Sequence, residues 1–138
     1  MRSKLSLVLV MMSLVLGGFA SIDTSSAAVT PVPKGSGWIV RPSDNICGIA
    51  DPRKISNPAK VDYDVLFEAT PEIRQMRRER IDPSSARGKQ LRRAANELIT
   101  KAAETVRRER GHCGIWKAIR NRDGRQIPDV TDAVRARF

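Results

Sequence analysis

The sequence has few of the residues that build large cores. Among 138 residues there are six aromatic side chains, two cysteines and one histidine. A short domain with so few large apolar groups buries little surface by itself. We therefore expect a protein that depends on a covalent staple, on a partner or on further copies of itself.

Catalytic motifs are also scarce. A cysteine nucleophile would be Cys47 or Cys113, and the single histidine, His112, lies directly beside Cys113. Neighbouring residues of a strand point to opposite faces, so this pair is poorly placed to act as base and nucleophile. The sequence has no glycine-rich phosphate loop and no Gly-x-Ser-x-Gly elbow. It therefore indicates a protein that is not an enzyme, with no catalytic residues.

Metal-binding patterns are equally weak. Two cysteines and one histidine, without paired Cys-x-x-Cys spacing, do not make a zinc site. Asp62 and Asp64 form an Asp-x-Asp pair, but on an alternating strand they are more simply its solvent face. We expect neither a metal ion nor a cofactor.

One long apolar run is present, at the N-terminus. Arg2 and Lys4 precede an apolar stretch over residues 5–19, and small residues lead up to a cleavage site after Ala28. The run of about 15 residues is shorter than the roughly 20 that span a bilayer. We interpret residues 1–28 as a cleavable signal peptide rather than a membrane anchor, with cleavage after Ala20 as the alternative. The mature protein is then expected in the periplasm or outside the cell.

Both cysteines follow the predicted cleavage sites. In an oxidising compartment two cysteines most simply form one disulfide, here between Cys47 and Cys113. Such a bond would staple the thin core. A free pair or an intermolecular pair of thiols is the alternative.

The rest of the chain predicts an α+β fold that is mainly α-helical. Residues 29–57 are rich in Pro, Gly, Ser and Asp, which predicts an irregular N-terminal arm with one extended piece at 37–40. Residues 58–138 are predicted to form the domain. Within it, apolar and acidic residues alternate over 61–65 and predict a short strand.

Two helices should follow as an antiparallel helical hairpin. Thr70 and Pro71 start a helix over 71–80, and a five-residue break leads into a second helix over 85–110. Its apolar residues, including Leu91 and Leu98, repeat at a spacing near 3.5, which is typical of a narrow coiled-coil seam. Gly111 ends that helix.

The C-terminal region predicts a β-hairpin and a last helix. Strands over 113–119 and 125–127 flank a turn that contains Asp123-Gly124, a strong hairpin signal. A short helix over 132–137 follows.

The formal net charge is +10, or +9 after removal of residues 1–28. Eight basic residues crowd the ends of the two predicted helices near the intervening turn: Arg74, Arg77, Arg78, Arg80, Arg87, Lys89, Arg92 and Arg93. Such a surface attracts anionic partners, such as lipopolysaccharide, acidic phospholipid or acidic stretches of other proteins. We do not expect nucleic acid as the partner, because an exported protein rarely meets it. The alternative is an ordinary solvated face that keeps the protein soluble.

Several segments resemble the Skp/OmpH family of periplasmic chaperones. Lys60-Val61-Asp62, Val65-Leu66-Phe67 and Thr70-Pro71-Glu72 resemble the family's opening strand and first arm helix. Residues 102–111 resemble the returning arm helix, and residues 115–120 with Asp123-Gly124 resemble the following hairpin. Residues 127–134, Ile-Pro-Asp-Val-Thr-Asp-Ala-Val, resemble the closing segment. The resemblance covers residues 59–138.

The resemblance implies a trimer in which strands from three chains form a β-body and helical arms surround unfolded outer-membrane proteins. The arms here are much shorter than those of the family, and residues 29–57 have no counterpart in it. We expect a holdase-like chaperone that binds unfolded outer-membrane or envelope proteins through basic helical arms. A non-catalytic structural or interaction protein of the envelope is the alternative. Self-association would use the strands over 61–65 and 113–119 and the seam from Leu91 to Leu98.

Overall fold

The computed structural model describes residues 37–138, and the predicted signal peptide lies outside them. The α+β fold with mainly helical content is confirmed, since about half of the described residues are helical. The strands are β1 (Trp38–Val40), β2 (Asn45–Gly48), β3 (Pro58–Lys60), β4 (Gly114–Trp116) and β5 (Ile119–Asn121). The helices are α1 (Tyr63–Ala69), α2 (Pro71–Arg78), α3 (Ala86–Arg110) and α4 (Thr131–Arg135). Single 3₁₀ turns lie at Pro42–Asp44 and Pro52–Lys54.

The strand β4 is the middle of a three-stranded sheet. It pairs antiparallel with β2, where Cys47 lies opposite Ile115, and parallel with β3, where Ala59 lies opposite Ile115. Ile115 and Trp116 are completely buried. All backbone pairing of β4 is therefore made within one chain, so the edges of this strand are not open to a second copy. Self-association itself stays a prediction.

The region predicted as an irregular arm contributes two strands. The extended piece at 37–40 is confirmed as β1, which pairs antiparallel with β5. Trp38 is buried and its indole N–H donates to the carbonyl of Ile55 at 2.9 Å. The next strand in the chain, β2, completes the three-stranded sheet. The described residues up to residue 57 therefore belong to the domain.

The short strand predicted at 61–65 is wrong in position. The strand lies earlier, as β3, and α1 already starts at Tyr63. The carboxylate of Asp62 accepts from the N–H of Val65 at 3.1 Å and so caps α1. An acidic residue that caps a helix produced the alternation that resembled a strand.

The two helices of the predicted hairpin are confirmed. Thr70 caps α2 by accepting from the N–H of Ile73, and Ser85 caps α3 by accepting from the N–H of Gly88. Gly111 ends α3 with φ 70°, the left-handed conformation that glycine adopts at little cost. The two helices pack against each other.

The narrow coiled-coil seam is wrong, because α3 buries a wider face. Its buried residues are Gly88, Ala95, Ile99, Ala102, Ala103 and Val106, while Leu98 is only half-buried. From Ile99 onward these residues join the main core with Leu66, Ile115 and Val134. The second half of α3 is therefore part of the domain body rather than of an arm.

The C-terminal region keeps its predicted turn but pairs differently. Gly124 has φ 71°, and its N–H donates to the carbonyl of Asn121 at 3.2 Å. Residues 125–127 form no strand, and β5 pairs with β1 instead. The last helix is confirmed as α4, where Val134 is completely buried.

Replacing Ile99 by Ala should lower the free energy of unfolding by about 2–5 kcal/mol, because it leaves a cavity in the main core. Leu98→Ala is the matched control and should cost clearly less, since Leu98 is half-buried. Urea unfolding of both variants measures the difference. An equal or larger loss for Leu98→Ala would favour the coiled-coil seam.

Candidate partner-binding surface

All eight basic residues predicted to bind a partner are exposed. Arg74, Arg77 and Arg78 lie on α2, Arg80 lies in the turn, and Arg87, Lys89, Arg92 and Arg93 lie on the first two turns of α3. We call these eight residues the basic hairpin surface. The structure thus brings the predicted set onto one helical hairpin.

Most of this positive charge has no acidic partner within residues 37–138. Arg77 forms an ion pair with Glu68, and Arg87 forms one with Glu79 at 2.8 Å. The other six basic residues of the surface form no ion pair in this range. Exposed ion pairs stabilise a protein by only about 0–1 kcal/mol, so the main consequence is a local excess of positive charge.

A tight turn holds the two helices of this surface together. The carboxylate of Asp82 accepts from the N–H and from the hydroxyl of Ser84, each at 2.8 Å. These hydrogen bonds hold the pKa of Asp82 below its usual value. At Gly88 a Cβ would lie 2.1 Å from the carbonyl oxygen of Asp82. Only glycine at this position lets the turn lie directly on the first turn of α3.

Beside the basic residues lies an apolar groove of about 480 Å³. We call it the hairpin groove, and its apolar lining consists of Phe67, Ile73, Met76, Ile81 and Pro83. Ile73 and Met76 are also the buried centre of the small core between α2 and α3. The sequence predicts the helix over 71–80 but no groove, since the bend of the chain at 79–85 creates it.

The bend depends on a left-handed arginine. Arg80 has φ 51°, and it is the one residue other than glycine with positive φ in the part of the chain that the structure describes. The N–H of Ile81 donates to the carbonyl of Met76 at 2.9 Å, and the N–H of Arg80 donates to the carbonyl of Arg77 at 3.2 Å. This arrangement ends α2 in the manner of a Schellman motif, in which glycine usually occupies the left-handed position.

The predicted disulfide between Cys47 and Cys113 is not supported. Both cysteines are free, with no cysteine pair at disulfide distance in the described part of the chain. In the register of β2 and β4, Cys47 lies opposite Ile115, while Cys113 precedes β4 and its carbonyl accepts from the N–H of Ile49 at 2.9 Å. The offset separates the two side chains, since Cys47 packs in the main core and Cys113 packs beside Trp116.

The environment of Cys47 keeps its thiol protonated. Burial, followed by the negative charge and the hydrogen bond of Glu104, raises the pKa of Cys47 to about 11. A protonated, buried thiol is a poor nucleophile. His112 is held by its backbone, whose N–H donates to the carbonyl of Arg107 at 3.0 Å. Its Nδ1 is buried without a hydrogen-bond partner among the described residues.

The two carboxylates of the Asp-x-Asp pattern, Asp62 and Asp64, lie at the start of α1 rather than on a strand. Asp62 caps α1, and its own N–H donates to Thr131 Oγ1 at 2.8 Å. Within the described range no group of three His, Cys, Asp or Glu side chains could hold a metal ion. Over the same residues, no helix combines the length and the apolar character that crossing a membrane requires.

The raised pKa of Cys47 predicts a loss of stability at alkaline pH. The ordinary thiol value is 9.0, so the folded state binds this proton more tightly than the unfolded chain. Its stabilising contribution is complete below pH 9 and is lost as the pH rises toward 11, by roughly 3 kcal/mol at most. Urea unfolding over this range should show this loss in wild type and in Cys113→Ala, and a clearly smaller loss in Cys47→Ala, where the raised pKa of Tyr63 still contributes. The same slope in all three proteins would contradict the assignment.

Comparison with known proteins gave no relative: no family model, no curated protein and no solved structure matches this chain.

Proposed function

We propose that this protein is an exported, holdase-like chaperone without catalytic activity, and that it binds unfolded outer-membrane or envelope proteins through the basic hairpin surface. The observation that carries the proposal is the exposed excess of positive charge beside an apolar groove. Unfolded polypeptides offer both apolar and acidic side chains, so a surface with both features suits them.

The charge distribution supports the proposal. The span from residue 71 to residue 93 contains eight basic and three acidic side chains, and like charges at this density repel one another. Such repulsion lowers the stability of the isolated hairpin. An acidic ligand relieves it, which makes binding favourable and strongly dependent on salt.

The positions of the family-like segments support the proposal as well. The segments at 60–62 and 127–134 are far apart in sequence but adjacent in the fold. The N–H of Lys60 donates to the carbonyl of Pro128, and that of Val130 donates to the carbonyl of Lys60, each at 2.9 Å. Segments that resemble the two ends of a Skp/OmpH domain thus lie side by side.

The second candidate is a structural or interaction protein of the cell envelope. One observation favours it: α2 has eight residues, and the second half of α3 belongs to the main core. The part of the hairpin left for an arm is too short to enclose a large client. A protein of this kind would bind a folded acidic partner and would not keep unfolded proteins soluble.

The first test is charge reversal on the basic hairpin surface. Arg74, Arg78, Arg92 and Arg93 are exposed and form no ion pair within residues 37–138. Replacing all four by Glu should weaken binding of an urea-unfolded outer-membrane protein by at least about tenfold, measured by fluorescence anisotropy. The affinity of the wild-type protein should also fall when the salt concentration is raised from about 0.1 M to about 1 M, because this shortens the Debye length from about 10 Å to about 3 Å.

The control variant has the same change of charge outside the basic hairpin surface: Lys54, Arg110, Arg120 and Arg122, all exposed, are replaced by Glu. It should retain most of the binding. If both variants lose affinity equally, net charge alone is responsible, and if the hairpin variant binds like wild type, the basic surface is only solubilising.

Two further measurements separate the candidates. A chaperone should suppress light scattering when the same client is diluted out of urea, whereas an interaction protein should leave aggregation unchanged. The solution mass of the mature protein tests the trimer that the resemblance implies. A monomer that does not suppress aggregation would favour the second candidate.

A further inference from the structure

Arg80 occupies a position where glycine would be more stable. An L-residue in the left-handed conformation brings its Cβ close to the following carbonyl oxygen, and glycine avoids this steric cost. Gly37, Gly48, Gly111 and Gly124 fill the other positive-φ positions of the described chain. The side chain of Arg80 makes no ion pair within residues 37–138 that would offset the cost. A strained residue of this kind points to a role outside folding.

Arg80 lines the hairpin groove together with three other charged residues. Of these, Glu68 and Arg77 form an ion pair with each other. The carboxylate of Asp82 is occupied by two hydrogen bonds from Ser84. Arg80 therefore supplies the one cation at the groove that has no carboxylate partner among the described residues.

We infer that the hairpin groove, with Arg80 at its rim, binds an extended polypeptide segment in which an apolar side chain lies beside a carboxylate. The apolar side chain enters between Phe67, Met76 and Ile81, and the guanidinium of Arg80 donates hydrogen bonds to the carboxylate. This inference rests on the proposed function, and it names the class of segment that the surface selects.

The pairing of a groove with one free guanidinium favours this ligand over others. A wholly apolar segment would leave the guanidinium unpaired. A purely acidic segment would be drawn equally by all eight basic residues and would leave the groove empty. Charge-assisted hydrogen bonds are stronger than neutral ones, and arginine can make two in parallel to one carboxylate. The combination of both contacts therefore gives selectivity that the charge alone lacks.

The test uses three synthetic peptides and the full mature protein. The first peptide carries a Leu next to a Glu in a neutral, flexible sequence, the second replaces that Leu by Ala, and the third replaces the Glu by Gln. By fluorescence anisotropy, the wild-type protein should bind the first peptide about tenfold more tightly than the second or the third.

Arg80→Gly separates binding from folding. This variant should raise the thermal midpoint by about 4 °C, because the strain is removed. It should nevertheless bind the first peptide about tenfold more weakly and the third peptide as wild type does. Arg80→Lys keeps a cation and should retain part of the affinity for the first peptide.

Arg92→Ala is the matched control, since Arg92 is an exposed, unpaired arginine that does not line the groove. It should weaken the first and second peptides slightly and to the same extent. If Arg80→Gly behaves like Arg92→Ala while the four-residue charge reversal abolishes binding, the inference about the groove is wrong and the proposed function stands. If the charge reversal changes nothing, the proposed function fails. If Arg80→Gly binds all three peptides like wild type, the assignment of Arg80 is overturned.

Discussion

The pairing of β4 on both edges is the constraint on which the rest of the structure depends. Ile115 and Trp116 are completely buried, and the backbone of β4 is satisfied by β2 on one side and β3 on the other. A buried strand with an unpaired edge would leave several polar groups without partners, each at a cost of about 1–3 kcal/mol. Because β2 and β3 precede the helices in sequence and β4 follows α3, this sheet joins segments from both sides of the helical hairpin.

Local chemistry explains which elements the sequence could predict. Thr70 with Pro71, Ser85 and Gly111 satisfy the ends of α2 and α3 by contacts with residues close in sequence. The helices therefore follow from short patterns. The strands β2 and β3 are three or four residues long and depend on partners about 55 to 70 residues away, which no local pattern specifies. The disulfide prediction is unsupported for the same reason, because the distance between the two cysteines depends on the register of β2 against β4.

The candidate site divides along the same line. The position of all eight basic residues on the helical hairpin could be predicted. Their charge follows from the residue types, and the helices that carry them follow from the local sequence pattern. The groove beside them could not be predicted, because it exists only where the turn at Asp82 lies on Gly88 and brings Ile81 toward Met76. The left-handed backbone of Arg80 was equally hidden, since arginine carries no signal for positive φ. The charge of the surface was thus accessible from the sequence, and the shape of the groove beside it was not.

The helix α3 connects the proposed binding surface to the domain body. Its first turns carry four of the basic residues, and its later residues, from Ile99 to Val106, lie in the main core. Phe67 packs against both the main core and the small core of the hairpin, and it also lines the groove. A segment bound in the groove would contact Phe67 and so add to the packing between the two cores. Since the groove requires the folded turn, such a ligand binds the folded state alone and stabilises it by mass action. In the proposed complex, contacts with the carboxylate of the ligand would offset the repulsion among the arginines and the strain at Arg80.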